Sequence, residues 1–140
     1  MSTSAYYLAK TDPETYSIDD LEREGETVWD GVRNPQALRA IREMQKGDTV
    51  LIYHSGGEAA IIGVAKITKQ GRTDPKDEKL AVADFRFECR IDPPVTLKEI
   101  KESGLFEDWA LVRQSRLSTM AAPAAFVKWL KKQRPQVKCL

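Results

Sequence analysis

Between Val28 and Gly57 the chain gathers side chains that can hold a flat heteroaromatic molecule: Trp29, Arg33 and Asn34 in one run, Tyr53, His54 and Ser55 in another. An indole face stacks on any nucleobase and contributes about 1–3 kcal/mol per stacked base. An amide offers both a donor and an acceptor, the pattern of a Watson–Crick edge. A guanidinium pairs with phosphate or stacks on a ring. His54, the only histidine, has the near-neutral pKa of a general base. Each residue also has a structural reading. Trp29 can be a core tryptophan, Arg33 a surface ion-pair partner, Tyr53 wall or core, and Asp30 an acceptor for loop amides. Asn34 precedes Pro35 and is expected mainly to cap a helix. No Ser-His-Asp spacing accompanies His54, so a hydrogen-bonded structural role is expected for it. Metal-ligand spacings, a phosphate loop and a dinucleotide fingerprint are all missing from the sequence, so neither metal nor cofactor is expected.

The elements that position these groups follow from periodicity and punctuation. Tyr6 to Lys10 reads as a strand ended by Thr11-Asp12-Pro13. Ser17 caps a short acidic-started helix, and Thr27 to Asp30 forms a short strand. Leu38, Ile41 and Met44 give the helix after Asn34 its buried face, until Lys46-Gly47-Asp48 stops it. In the strand Thr49 to Ser55, Val50, Ile52 and His54 share one face, and Leu51, Tyr53 and Ser55 the other. Both faces carry apolar residues, as in a covered or curled sheet. Tyr53, His54 and Ser55 can line one pocket only if that strand end twists or bulges. Ala60 to Thr68 is the next strand, with Gly63 marking a bulge or close approach. Lys69 to Lys79 reads as a polar loop, and Leu80 to Ile91 as a long strand broken by Asp92-Pro93-Pro94. Thr96-Leu97-Lys98-Glu99 has the form of a capping box. A last helix is expected over Pro123 to Lys132. Trp109 and Trp129 are assigned to the core or its edge.

Length fits one domain, taken as 1–140 with 134–140 as a loose tail. The hydrophobic fraction of 41% supports a globular core. No run approaches the roughly 20 apolar residues that span a bilayer. Met1 to Ala5 lacks the basic-then-apolar order of a signal segment. Cys89 and Cys139 form no metal pattern, and a disulfide between them is not expected. A reducing cytoplasm is the default. The net charge of +1 gives no evidence for tight, sequence-independent binding to a polyanion, and fits a base-centred binder better than a backbone-wrapping one. Affinity for nucleic acid would need local clustering, for example of Lys10, Arg33, Arg39, Arg113 and Arg116.

The runs Trp29-Asp30-Gly31-Val32-Arg33-Asn34, Tyr53-His54-Ser55, Ala110-Leu111-Val112-Arg113-Gln114 and Ser115-Arg116-Leu117-Ser118 occur in this order. Together they resemble the EVE domain, a family of the PUA-like superfamily, over nearly the whole chain from Tyr6 to about Leu130. The resemblance implies an α+β fold: a PUA-like mixed β-barrel of about five or six strands flanked by short helices. It implies a reader of modified bases, 5-methyl- or 5-hydroxymethylcytosine in DNA or a modified RNA base. The base would be single-stranded or flipped, and the protein a monomer without a membrane. It places Lys10, Thr11, Val32, Ser115 and Arg116 near the pocket beside Trp29, Arg33, Asn34, Tyr53, His54 and Ser55. Two stretches depart from the family pattern: Lys79-Leu80, where relatives carry a tryptophan after a longer loop, and Thr119-Met120-Ala121-Ala122. The rival readings are a nucleotide- or RNA-modifying enzyme using His54 and a peptide-binding interaction module. The expected role is binding, not catalysis.

Overall fold

A computed structural model describes residues 5–140, so the Met1 to Ser4 part of the opening stretch lies outside the described residues. Among the described residues, six strands form one mixed sheet. They are β1 (Tyr6–Thr11), β2 (Glu26–Trp29), β3 (Thr49–His54), β4 (Ala60–Asp74), β5 (Asp77–Thr96) and β6 (Thr119–Ala121), in the order β2-β5-β4-β3-β1-β6. The pair β1–β3 is parallel, with Tyr6 beside Thr49 and Thr11 beside His54. The other pairs are antiparallel. Five short helices among the described residues flank the sheet: α1 (Ile18–Glu24), α2 (Pro35–Glu43), α3 (Leu97–Glu102), α4 (Ala110–Arg113) and α5 (Ala124–Gln133). Strand number, mixed pairing and flanking helices agree with the PUA-like expectation. The ladder does not close into a barrel, because β2 and β6 remain as edges.

Alternation along the central strands divides the apolar residues between two faces. Leu8, Leu51 and Tyr53 pack with Ile100, Phe106, Trp109, Phe126 and Leu130, under α3, α4 and α5. Tyr7, Ala9, Val50 and Ile52 pack on the opposite side with Ile18, Leu21, Leu38, Ile41 and Phe85, under α1 and α2. Each such buried side chain contributes about 1.5–3 kcal/mol relative to exposure. The sheet is therefore covered on both faces, as the apolar residues on both faces of β3 require.

Several local expectations need correction. Lys69 to Lys79 is no loop: β4 and β5 run on as a hairpin to Asp74 and Asp77. Asp92-Pro93-Pro94 does not end β5, which continues to Thr96. These residues fall between the pairs Gly63–Arg90 and Ile61–Val95, where proline removes no ladder hydrogen bond. The Thr96 hydroxyl accepts from Glu99 N at 3.0 Å, but Glu99 turns away to Arg134 at 3.1 Å, so only half of the capping box forms. The complete box lies at α1, between Ser17 and Asp20.

Cys89 and Cys139 form a disulfide, with Cα atoms 6.3 Å apart, against the expectation of two free thiols. The spacing of 50 residues hid it: only the folded chain brings the tail alongside β5. Residues 134–140, expected as a loose tail, are held there. Val137, Cys139 and Leu140 pack against the first apolar cluster. The Arg134 guanidinium donates to the carbonyls of Pro93 at 2.7 Å and Pro94 at 3.0 Å. No helix among the described residues is long and apolar enough to cross a membrane.

Candidate nucleic-acid interface

The end of β2 delivers Trp29 to a sharp arc, Asp30 to Arg33, that leads into α2. Gly31 takes φ +78°, a conformation that glycine adopts without steric cost. Asn34 fixes the far end of the arc. Its side-chain oxygen accepts from Gln36 N at 2.8 Å and Ala37 N at 3.1 Å, and Pro35 fills the first helical position. That is the expected capping role; the amide oxygen is engaged by the helix, and Asn34 does not line the cleft.

Opposite the arc, Lys10 and Thr11 close β1. The Lys10 backbone N–H donates to Ser118 O at 2.7 Å, which draws the 114–118 segment alongside the strand end. Between arc and strand end opens a cleft of about 550 Å³, lined by Lys10, Thr11, Tyr16, Val28, Trp29, Asp30, Val32, Arg33 and Ser118, among others. The volume lies within the range of about 300–1,000 Å³ usual for small-molecule sites.

Trp29 forms an inner wall and not the free platform expected. The residue is only 8% exposed, and its ring stacks on Phe85 at 4.9 Å and 22°. Tyr16 meets it edge-on at 6.0 Å. The Tyr16 hydroxyl donates to Glu24 at 2.8 Å, and burial together with that bond pushes its pKa up to about 12. The Lys10 ammonium donates to the Ser115 carbonyl at 3.0 Å and stands 5.5 Å from the centre of the Tyr53 ring. Burial lowers its pKa from the usual lysine value. The Asp30 carboxylate lines the cleft and has no salt-bridge partner among the described residues. No loop amide donates to it among those residues, contrary to the structural role expected. Val28 is 46% exposed, an unusual position for a large aliphatic side chain, and it too faces the cleft.

The structure thus brings together Lys10, Thr11, Trp29, Val32 and Arg33 from the expected set. Tyr53 is buried behind Lys10. Although β3 bulges between Ile52 and Tyr53, His54 still points away, and its Nε2 accepts from Ile18 N at 3.1 Å. Ser55 is exposed next to the Thr11 carbonyl, Ser115 contributes its carbonyl to Lys10, and Arg116 does not line the cleft. Sequence reasoning missed Tyr16 and Val28, and Ser118 figured only as part of a motif. Tyr16 arrives through the turn after β1, where the amides of Thr15 and Tyr16 both donate to Asp12 O, at 2.9 and 2.8 Å. No periodicity marks such a placement. The exposed Val28, on an edge strand beside Trp29, was the available signal.

An open mixed sheet in this strand order, covered on both faces by short helices and with a cleft where β1 and β2 end, agrees with the PUA-like class that the sequence resemblance implies. Within that class the chain belongs to the EVE domain family, whose model matches residues 5–133. Thymocyte nuclear protein 1 of Gallus gallus is 36% identical over 152 aligned positions, covering 83% of this chain and 63% of that protein. The human protein of the same name is 37% identical over 83 residues, covering 51% of this chain and 37% of that one. The chain therefore spans between about a third and two thirds of the length of these relatives. A Rhodopseudomonas palustris protein solved by NMR superposes with a TM-score of 0.88 at 32% identity, covering 95% and 94% of the two chains. Human THYN1, crystallised in complex with 5-methylcytosine-containing DNA, shares the fold with a TM-score of 0.85 at 24% identity, covering 94% and 98%.

Proposed function

We propose that this chain is a nucleic-acid reader that holds one base, a C5-modified cytosine, in the cleft between Trp29 and Lys10. The observation that carries the reading is the composition of that cleft: an aromatic wall of Trp29 and Tyr16, exposed aliphatic Val28, and an Asp30 carboxylate without an ion-pair partner among the described residues, all on one cavity. Cytosine presents an N4 amino donor, and carboxylates accept from that group. Its remaining edge, N3 and O2, accepts, and Lys10 and the hydroxyl of Ser118 are the donors at hand, the Thr11 hydroxyl being committed to Tyr16 O at 2.7 Å. Val28 and Val32 supply the apolar contact that a C5 methyl favours. The DNA complex of the human relative, with 5-methylcytosine, supports this choice of guest.

A single extra methyl in an apolar site is worth only about 1–3 kcal/mol, so discrimination between cytosine and its methylated form is modest. A base taken from a duplex must also be extruded, at a cost of a few kcal/mol. Single strands are therefore the favoured substrate, bound by a monomer. The reading is one of capture without turnover, because the His54 acceptor nitrogen is committed to α1 outside the cleft.

Titration with short single strands that differ only in one central cytosine (unmodified, 5-methyl or 5-hydroxymethyl), as DNA and as RNA, tests the reading. The modified strands bind more tightly, and Asp30→Asn weakens them about tenfold or more, in line with about 1–3 kcal/mol for a base-edge contact. Equal, negligible binding of every strand by the folded wild type would remove the reading.

A further inference from the structure

A second groove opens beside the cleft. It has a volume of about 630 Å³ and runs between α2 and the β4–β5 hairpin, lined by Arg33, Leu38, Arg39, Arg42, Asp77 and Lys79, with Pro35 and Leu80. Arg33 lines both cavities, so the two adjoin at its side chain. The chain has ten arginines. Six of them, Arg23, Arg72, Arg86, Arg90, Arg113 and Arg134, are in salt bridges. Of the four left without a carboxylate partner among the described residues, three line this groove. Lys79 is likewise without a salt bridge there. One carboxylate, Asp77, faces the groove, and it accepts from the Lys79 amide at 3.0 Å as part of the hairpin turn. Arg42 donates to the Lys79 carbonyl at 3.1 Å and joins the two walls. Arg39 and Arg42, three residues apart, lie on one side of α2. A protein of net charge +1 has thus placed three of the four arginines that lack a carboxylate partner among the described residues together, next to a cavity sized for a base.

We infer that this groove is the track for the phosphodiester backbone that flanks the captured base, with Arg33 at the junction and Arg39, Arg42 and Lys79 meeting successive phosphates. The inference rests on the base-reading function proposed above and adds the surface that fixes strand direction and supplies the salt-dependent part of the affinity. Guanidinium groups suit it, because they bind phosphate oxygens in a bidentate fork. The Lys79-Leu80 stretch, which departs from the family pattern, then becomes one wall of this track.

The test is the salt dependence of binding, with the same single strands carrying cytosine or 5-methylcytosine. For single strands the slope of log K against log salt changes by about 0.7 for each phosphate contact. Arg39→Gln combined with Lys79→Gln, both exposed side chains, is expected to flatten the slope by about 1.4. Affinity for both strands falls by the same factor, and the preference for the modified base is retained. Lys98→Gln with Lys101→Gln, on α3, is the charge-matched control and leaves the slope unchanged. An unchanged slope in the groove variant, or an equal loss in the control, would overturn the track while leaving base reading intact. A flattened slope in a protein that treats both cytosines alike would sustain the track and overturn base reading instead. No binding at all by the folded wild type would overturn both.

Discussion

At the scale of single residues, His54 is the clearest case of a reactive side chain serving architecture. The first amides of a helix have no intrahelical acceptor, and His54 Nε2 takes one of them, Ile18 N, at 3.1 Å. That bond requires the neutral ring. Burial holds the His54 pKa below its usual value; Asp19 pulls it back up, and Arg90 pushes it further down. With the folded value depressed, the unfolded chain binds the proton more readily. The stabilisation is complete above the unfolded pKa near 6.5 and is lost as pH falls through the lower folded value. Urea midpoints should therefore drop as pH is lowered from about 7 to 5, above the range where most carboxylates titrate. In His54→Gln, which keeps an acceptor but cannot titrate, that slope should vanish. Parallel curves for the two proteins would show that His54 is not the titrating group.

At the scale of elements, the β4–β5 hairpin matters most, because its extension past the sheet is what gives the groove its second wall. It crosses the end of α2 at Gly71, whose amide donates to Met44 O at 2.9 Å. A Cβ on residue 71 would stand 1.8 Å from the Ile41 carbonyl oxygen and within 3 Å of two further backbone atoms. No side-chain rotamer relieves such a clash, so Gly71→Ala should cost at least about 3 kcal/mol in chemical denaturation. At Gly56 the nearest atom to an added Cβ is a proline side-chain carbon at 3.4 Å, and the same change there should be nearly neutral. Equal losses at both sites would sink the close-approach account. The sequence announced Gly63, set in an apolar strand, as a tight position, and there a Cβ would meet Ile18 at 2.4 Å. It concealed Gly71, because the outer hairpin is hydrophilic and its register shifts at Lys69 and Arg72 erase the period of two. Helix starts were legible because Ser17, Asn34 and Thr96 cap by local chemistry. The fate of Glu99 was not, since its partner Arg134 lies 35 residues away.

At the scale of the whole molecule, the two apolar clusters explain why strand content and fold class could be read so directly: alternation in β1 and β3 assigns residues to one cluster or the other. The site was legible only where it is local. Trp29, Val32 and Arg33 share one arc and Lys10 and Thr11 one strand end, whereas Tyr16 and Ser118 reach the cleft through turns and cross-strand bonds. The tail could not be read, because its hold on β5 is formed by the disulfide and by Arg134, whose side chain is 11% exposed. Closing a loop of 50 residues restricts the unfolded chain, and such a link is worth about 2–4 kcal/mol. Reductant, or Cys139→Ser, should lower stability by that amount, and thiol titration of the native protein should find no free cysteine. Two reactive thiols under native, oxidising conditions would contradict the link. The arc from Asp30 to Arg33 is fastened at both ends, by the indole clamped on Phe85 and by the amide that caps α2. A span so short and so firmly moored has little freedom to change its shape. In the reading proposed above it is a frame set in advance, so little free energy is lost in moulding the wall around a captured base.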